Sequence, residues 1–500
     1  MQRTISEVGM ERRSFLKTAV QGVVAVPVTA SLGGLAVAQE TKAAAKAPVA
    51  HKATAPAKPK VSLNVKDQGA TGDGKTKDTL ALQQTIERVS MFGGGEVFVP
   101  AGDYLTGALT LLSGVTLRLD EGASLLGSPD VKTDYPFAQV RWEGHFMKGY
   151  SALISATDAT DIGIMGPGKI IATPAIKGRL ERPSGYRLPA LLEFTNCKNV
   201  NVENVYTEQT GMWSTHPLYC ENITFRNSTF KSGADGIDVD SCKHVVIDGC
   251  TFDTTDDCIS LKSGRGVEGN TIARPTEDVT ITNCTFFDRV WACIGIGSET
   301  SGGIRGVKVS HCKCNGAGTF AIYIKSRPGR GAFIEDISMN DLEVSGAKLG
   351  FLRFNILNSG IEDKPNLVPG DAGIPTIRNF RFSNIKVTDV PVLVDGASIH
   401  PKKPLEGFTL TNVTGTCGDI PTTDRPRGFP THIPAMIALA NIHNAVLSGI
   451  NVKVEDFKGP MLATYNVTGT GLKGAVELPE ADRPKVPDPI PAPESPYKLR

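Results

Sequence analysis

The 500-residue sequence has almost no surplus of charge and few aromatic rings. Lysine and arginine number 53 against 52 acidic residues, and aromatics make up 6%, with three tryptophans. The missing basic surplus argues against a nucleic-acid binder, because such binding rests on clustered lysine and arginine neutralising phosphates. Also missing is an unbroken apolar run of the roughly 20 residues that a membrane span needs. The most apolar stretch, Thr18 to Val37, is interrupted by Gln21, Gly22, Pro27, Gly33 and Gly34. Zinc-finger spacing is absent too, since Cys312-x-Cys314 is tighter than a knuckle requires. No metal and no cofactor is expected. What is present is the composition of a folded chain, 40% hydrophobic and 21% charged.

The near-neutral total conceals basic ends. Residues 1–38 carry a net +2 and residues 39–60 a net +4, which leaves the rest at −5. Arg12-Arg13-Ser14-Phe15-Leu16-Lys17 precedes the mild apolar run, which closes on Ala36-Val37-Ala38, a small-x-small cleavage pattern. The paired arginines look like a twin-arginine export signal. We therefore expect a signal peptide at 1–38, an Ala/Lys/Pro linker at 39–60, and a periplasmic or extracellular protein without a membrane span. Residues 477–500 hold seven prolines and read as an extended tail. Ten cysteines in an exported chain permit disulfides. Most of them fall inside a repeat, and buried thiols are the favoured reading.

Nine segments share one alternating template, at Asp161, Asn199, Asn222, His244, Asp278, Gly306, Asp336, Asn379 and Gly407, with a fainter tenth at Asn444. Strict alternation means strands with one buried face, and a base period near 22 residues means a solenoid. A second column aligns Ile237/Val239, Ile259/Leu261, Ile294/Ile296 and Ile322/Ile324. The pattern predicts an all-β, right-handed parallel β-helix over 61–476 as a single domain. Asn204, Asn227, Asn283, Asn384 and Asn412 recur at one turn position, where asparagine tolerates unusual backbone angles. Residues Asp78 to Phe92 predict a helix, with Asp78 as its cap and Leu82, Ile86 and Val89 on one face. That helix is expected to plug the end of the solenoid.

Asp235 and Asp257 each precede an isoleucine of the second column by two residues, so they occupy equivalent positions one coil apart, with Asp256 alongside. Three acids so close on the outer surface must titrate apart, one keeping its proton. Acid–base glycoside hydrolysis needs such a split. Turn aspartates and a calcium site are the alternatives that spacing leaves open. Lys262 and Lys325 alternate outward beside these acids, with Arg265 and Arg327 at nearby strand ends. Arg305 and Arg330 read as solvated surface, and Trp213 and His216 as structural.

Four segments, GADGIDVDSC, TDDCISLKSG, IGIGSETSGGIRGV and YIKSRPGRGAFIEDI, resemble in order the signatures of the family 28 glycoside hydrolases, the polygalacturonases and their pectin-degrading relatives. The resemblance extends over nearly all of 61–460. It implies a pectin-lyase-like solenoid and inverting hydrolysis of pectic polysaccharide, by a protein expected to be a monomer. By position, Asp256 matches the general acid, Asp235 and Asp257 the pair that activates water, and Lys325 a lysine that binds a substrate carboxylate. Three positions depart from the family pattern. Gly233-Ala234-Asp235 replaces Asn-Thr-Asp, Trp291 stands where a histidine is usual, and Tyr323-Ile324-Lys325 replaces Arg-Ile-Lys. They imply a different sugar or charge around the cleaved bond, with Trp291 and Tyr323 stacking on a sugar face. The alternatives to a hydrolase are a β-helix polysaccharide lyase and a noncatalytic carbohydrate-binding β-helix. Insertions at 264–277, 357–376 and 417–434 are expected to close the groove.

Overall fold

The computed structural model describes residues 61–418, 434–455, 457–488 and 490–491. The export signal and linker expected within 1–60, and most of the 417–434 insertion, lie outside the described residues.

The alternating segments form short parallel strands wound into a parallel β-helix, three strands to a typical coil. Its hand is right, as strand twist requires of parallel crossovers. The first sheet is the alternating template itself. Val200, Ile223, Val245, Val279, Val307, Ile337, Phe380 and Phe408 stand in one inward column. The second column of the sequence is another sheet, in which Leu192, Thr215, Ile237, Ile259, Ile294, Ile322 and Leu352 are in register. Between them lies a sheet that the repeat pattern did not reveal, carried by strands such as Thr229–Ser232, Thr251–Thr254 and Thr285–Asp288. It contributes a column of stacked rings, with Phe230 and Phe252 at 5.2 Å and Phe252 and Phe286 at 5.3 Å. Each such buried side chain contributes roughly 1.5–3 kcal/mol, so the stack of like residues is the main source of stability.

The turns also stack. Asn204, Asn227, Asn283, Asn384 and Asn412 all adopt left-handed φ between 48° and 59°. A side-chain amide ladder ties neighbouring coils: Asn412 Nδ2 donates to Asn384 Oδ1 (3.2 Å), and Asn384 Nδ2 to Asn340 Oδ1 (2.9 Å). All ten cysteines are free and buried. Several point along the stack, with the Cys197 and Cys220 amides donating to the sulfurs of Cys220 and Cys242 at 3.3 Å.

The helix spans Thr79–Met91 and buries Leu82, Thr85, Ile86 and Val89 over the first coils. Asp78 stands at its N-terminus but does not cap it. Its carboxylate turns back to accept the amides of Thr71 (2.7 Å) and Gly72 (3.0 Å), because the preceding turn offers those donors first. Gly94 follows the helix with φ of 102° and packs where any Cβ would meet the Gly114 carbonyl at 2.7 Å. At the other end, the tail lies against the body. Val476–Glu477 add to the last strands, Leu478 is fully buried, and the Gly370 amide donates to Ile490 O at 3.1 Å.

Candidate active site

The sheet of the second column has its alternate residues turned outward. Asp238 and Asp240 project from strand Ile237–Asp240, Ser260 and Lys262 from Ile259–Lys262, and Tyr323 and Lys325 from Phe320–Lys325. Asp235, Asp256 and Asp257 sit in the turns that feed the first two strands. Three inserted elements wall this strip: the antiparallel hairpin Phe137–Trp142/His145–Tyr150, the segment 177–188, and residues 359–361. Together they enclose a cleft of about 190 Å³ lined by Glu143, Arg179, Trp213, the three aspartates, Ser260, Lys262, Trp291, Gly297–Glu299, Lys325 and Ser359–Ile361.

The acids are not on an open surface, as the sequence suggested, but in the cleft floor, with Asp235 and Asp257 buried. The inserted walls enclose them, and the cations there are spent on pairing. Lys262 Nζ lies 3.2 Å from Asp235 and 2.5 Å from Asp238, and over the Trp213 ring at 4.6 Å. Lys325 pairs with Asp257, and Arg179 with Asp256. Gly295, between Ser260 and Tyr323 in the register, leaves room for the Asp257–Lys325 pair.

These pairings split the titrations. Burial opposes the charge on Asp235, yet Lys262 and Arg179 overcome it and hold this carboxyl below its ordinary range. Burial and the Asp235 charge push Asp256 up, against the pull of Arg179 and Lys325. Burial raises Asp257 to about 6 despite Lys325, with Asp256 and Asp235 adding to the rise. Asp238 is pushed well up by burial and by Asp235. One cleft thus holds a carboxyl shifted toward its ionised form beside carboxyls shifted toward protonation.

The structure brings Asp235, Asp256, Asp257, Lys262, Lys325 and Trp291 together. It does not bring Tyr323, Arg265 or Arg327 to the cleft lining. Tyr323 is buried beneath Trp291, their centroids 6.1 Å apart and near parallel, so only Trp291 is open to a sugar face. Arg265 faces Glu143 (3.7 Å) and Asp363 (3.5 Å), and Arg327 donates to Gly360 O and faces Glu362. Both brace the walls. Arg330, expected at the surface, is fully buried and pins the same walls by donating to Ser298 O and Ile361 O. His216 is structural, held between Glu193 (3.1 Å) and Asp240 (3.8 Å). Trp213 stacks on Trp142 at 4.7 Å and also forms cleft wall.

Sequence reasoning missed Arg179 and Glu143, while the 359–361 wall falls inside the 357–376 insertion expected to close the groove. The available signal was an inserted segment dense in cations, Lys177 to Arg187, between two coils. Among the described residues, no cluster of acids, histidines and cysteines is arranged to hold a metal ion, and no helix is long and apolar enough to cross a membrane.

A parallel β-helix with an acid-lined cleft on one sheet is the frame of a polysaccharide-degrading enzyme. The family model for "Glycosyl hydrolases family 28" matches residues 94–419, and the chain belongs to that family of glycoside hydrolases. It is 29% identical over 373 residues to a probable polygalacturonase of Vitis vinifera, covering 71% of this chain and 74% of that one. It is 25% identical over 420 residues to an exo-poly-alpha-D-galacturonosidase of Dickeya chrysanthemi, covering 67% and 69%. Among solved structures, a hyperthermoactive exopolygalacturonase from Thermotoga maritima superposes with a TM-score of 0.63 at 26% identity, covering 72% of this chain and 88% of that chain.

Proposed function

We propose that this glycoside hydrolase is exported and cleaves glycosidic bonds in pectic polysaccharide with inversion. Asp256 is the general acid, and Asp235 with Asp257 activates the attacking water. The observation that carries this reading is that Asp256 and Asp235 stand in one cleft among charges that shift their carboxyls in opposite directions. An inverting hydrolase needs one carboxyl to protonate the leaving oxygen and one carboxylate to take a proton from water. Asp257 Oδ1 is buried without a protein partner and is the acceptor we assign to that water. Lys325 and Trp291 contact the sugar, by charge and by ring stacking. Relatives named as polygalacturonases support a pectic substrate, and the paired arginines at 12–13 support export.

The test is digestion of homogalacturonan and rhamnogalacturonan oligomers, with the anomer of the fresh product read by NMR. The expected result is an inverted anomer, with Asp256→Asn losing roughly 10²–10⁴-fold in kcat. Full activity in that variant overturns the assignment. An unsaturated, ultraviolet-absorbing product would instead indicate elimination by a lyase.

A further inference from the structure

We propose that Arg179 is the receptor for an acidic substituent of the substrate, and that its transfer from Asp256 to that substituent arms the enzyme. This rests on the functional reading above, and it concerns how that site tells an ionised carboxylate beside the scissile bond from a neutral or esterified one.

Three cations face the cleft, and they are not equivalent. The side chains of Lys262 and Lys325 are 8% and 9% exposed. Lys262 is held by two carboxylates and a tryptophan face, and Lys325 by Asp257 beside the rings of Trp291 and Tyr323. Both are built-in counter-ions, costly to move. Arg179 is 36% exposed, comes from an inserted segment rather than the sheet, and is paired at the terminal nitrogen of its guanidinium. Its backbone, by contrast, is tethered. The Leu188 amide donates to Arg179 O at 3.0 Å, and Thr210 Oγ1 donates to Ile176 O at 3.1 Å. Gly211 packs so closely beneath that a Cβ there would meet Ile176 O at 2.6 Å. The result is a partly exposed fork on a fixed post at the mouth of the cleft. Exposed Lys177 and Arg182 line the groove that continues outward from it.

A guanidinium matches a carboxylate as a two-pronged donor, and a substrate carboxylate entering the cleft competes with Asp256 for it. In the free enzyme the Arg179 pair pulls Asp256 toward its ionised form, against the rise that burial and the Asp235 charge impose, and so weakens it as a proton donor. Once the fork turns to the substrate, Asp256 remains among Asp235, Asp257 and Lys325, with Lys262, Glu143 and Glu299 around them, and takes one proton from solvent. That proton then passes to the leaving glycosidic oxygen. A neutral or methyl-esterified ring leaves Arg179 on the acid, so the enzyme distinguishes acid from ester through its own proton donor.

The experiment compares kcat/KM for an oligogalacturonide and its methyl ester in the wild type, Arg179→Gln and Arg179→Lys. The wild type should prefer the free acid by roughly 10–100-fold, the worth of a charged hydrogen-bonded pair. Arg179→Gln should reduce that preference to within about threefold, with Arg179→Lys between them, since it keeps the charge but loses the fork. In Arg179→Gln the basic limb of the kcat/KM profile should move to higher pH, because Asp256 has lost a cation. The basic limb of kcat should stay in place, because the complex had already lost it. A wild-type acid/ester preference in both folded variants overturns the role of Arg179 alone. A wild type that releases no reducing ends from either substrate overturns the functional reading and this inference together.

Discussion

Replacing Gly295 by alanine is the sharpest test of how the cleft is assembled. Gly295 lies in strand Ile294–Ile296 and turns its missing side chain toward the acids. Its backbone is ordinary strand, so alanine brings no conformational strain. A Cβ there, however, would stand 2.6 Å from Asp257 Cγ and 2.9 Å from Lys325 Nζ, and nearer still to Asp257 Oδ2. The strand cannot retreat, because Ile294 and Ile296 are fully buried between Ile259 and Ile322 on the neighbouring coils. The carboxylate must therefore move, by about 1 Å, and Lys325 with it. A displacement of that size at reacting groups costs about 10²-fold in rate. Overpacking of this kind costs about 1–3 kcal/mol, which leaves most of the solenoid's stability in place. The assay is kcat on a pectic oligomer alongside the thermal midpoint. We expect a fall of about 10²-fold in kcat with cooperative melting retained. A variant within about threefold of wild type would refute the close packing of Asp257 against Gly295.

Two further outcomes follow from the buried ion pairs. Lys262→Met leaves Asp235 and Asp238 without their shared cation. We expect a loss of about 3–5 kcal/mol near neutral pH, smaller at acid pH where the two carboxyls are protonated, and an acidic limb of the rate profile moved to higher pH as Asp235 loses its main counter-charge. Denaturant melts at two pH values and a pH–rate profile check both. Glu193 is held down to about 2, burial opposing and Arg187 and His216 overcoming it. A depressed carboxyl contributes stability above its unfolded value near 4.5, and that contribution is lost as pH falls toward 2. The shift corresponds to about 3 kcal/mol. Melting curves of wild type and Glu193→Gln should therefore converge between pH 5 and pH 2; a constant gap across that range counts against the Arg187 and His216 pairing as its source.

How far the sequence carries depends on the range of the interaction. Alternation at Ile237/Val239, Ile259/Leu261 and Ile294/Ile296 is written over a few residues, and the observed register aligns those same residues. The turn asparagines are local as well, since left-handed φ is a property of one residue and its neighbours. The middle sheet escaped notice because its strands, such as Thr229–Ser232 and Thr251–Thr254, are four residues long and polar at both ends, too short for a period to emerge. Asp78 illustrates a local rule overridden by nearer donors.

By itself, then, the sequence determined the solenoid, the inward columns and the adjacency of Asp235, Asp256 and Asp257, because each follows from side-chain periodicity along one strand and one coil. Only the tertiary structure decided what those acids are. Asp256 meets Arg179 across 77 residues and Asp257 meets Lys325 across 68. Tyr323 and Arg330 went into the body, and walls built from insertions enclosed the acids in a cleft. Proton affinity depends on burial and on charges within a few ångströms, and those are set by which distant segments the coils bring together.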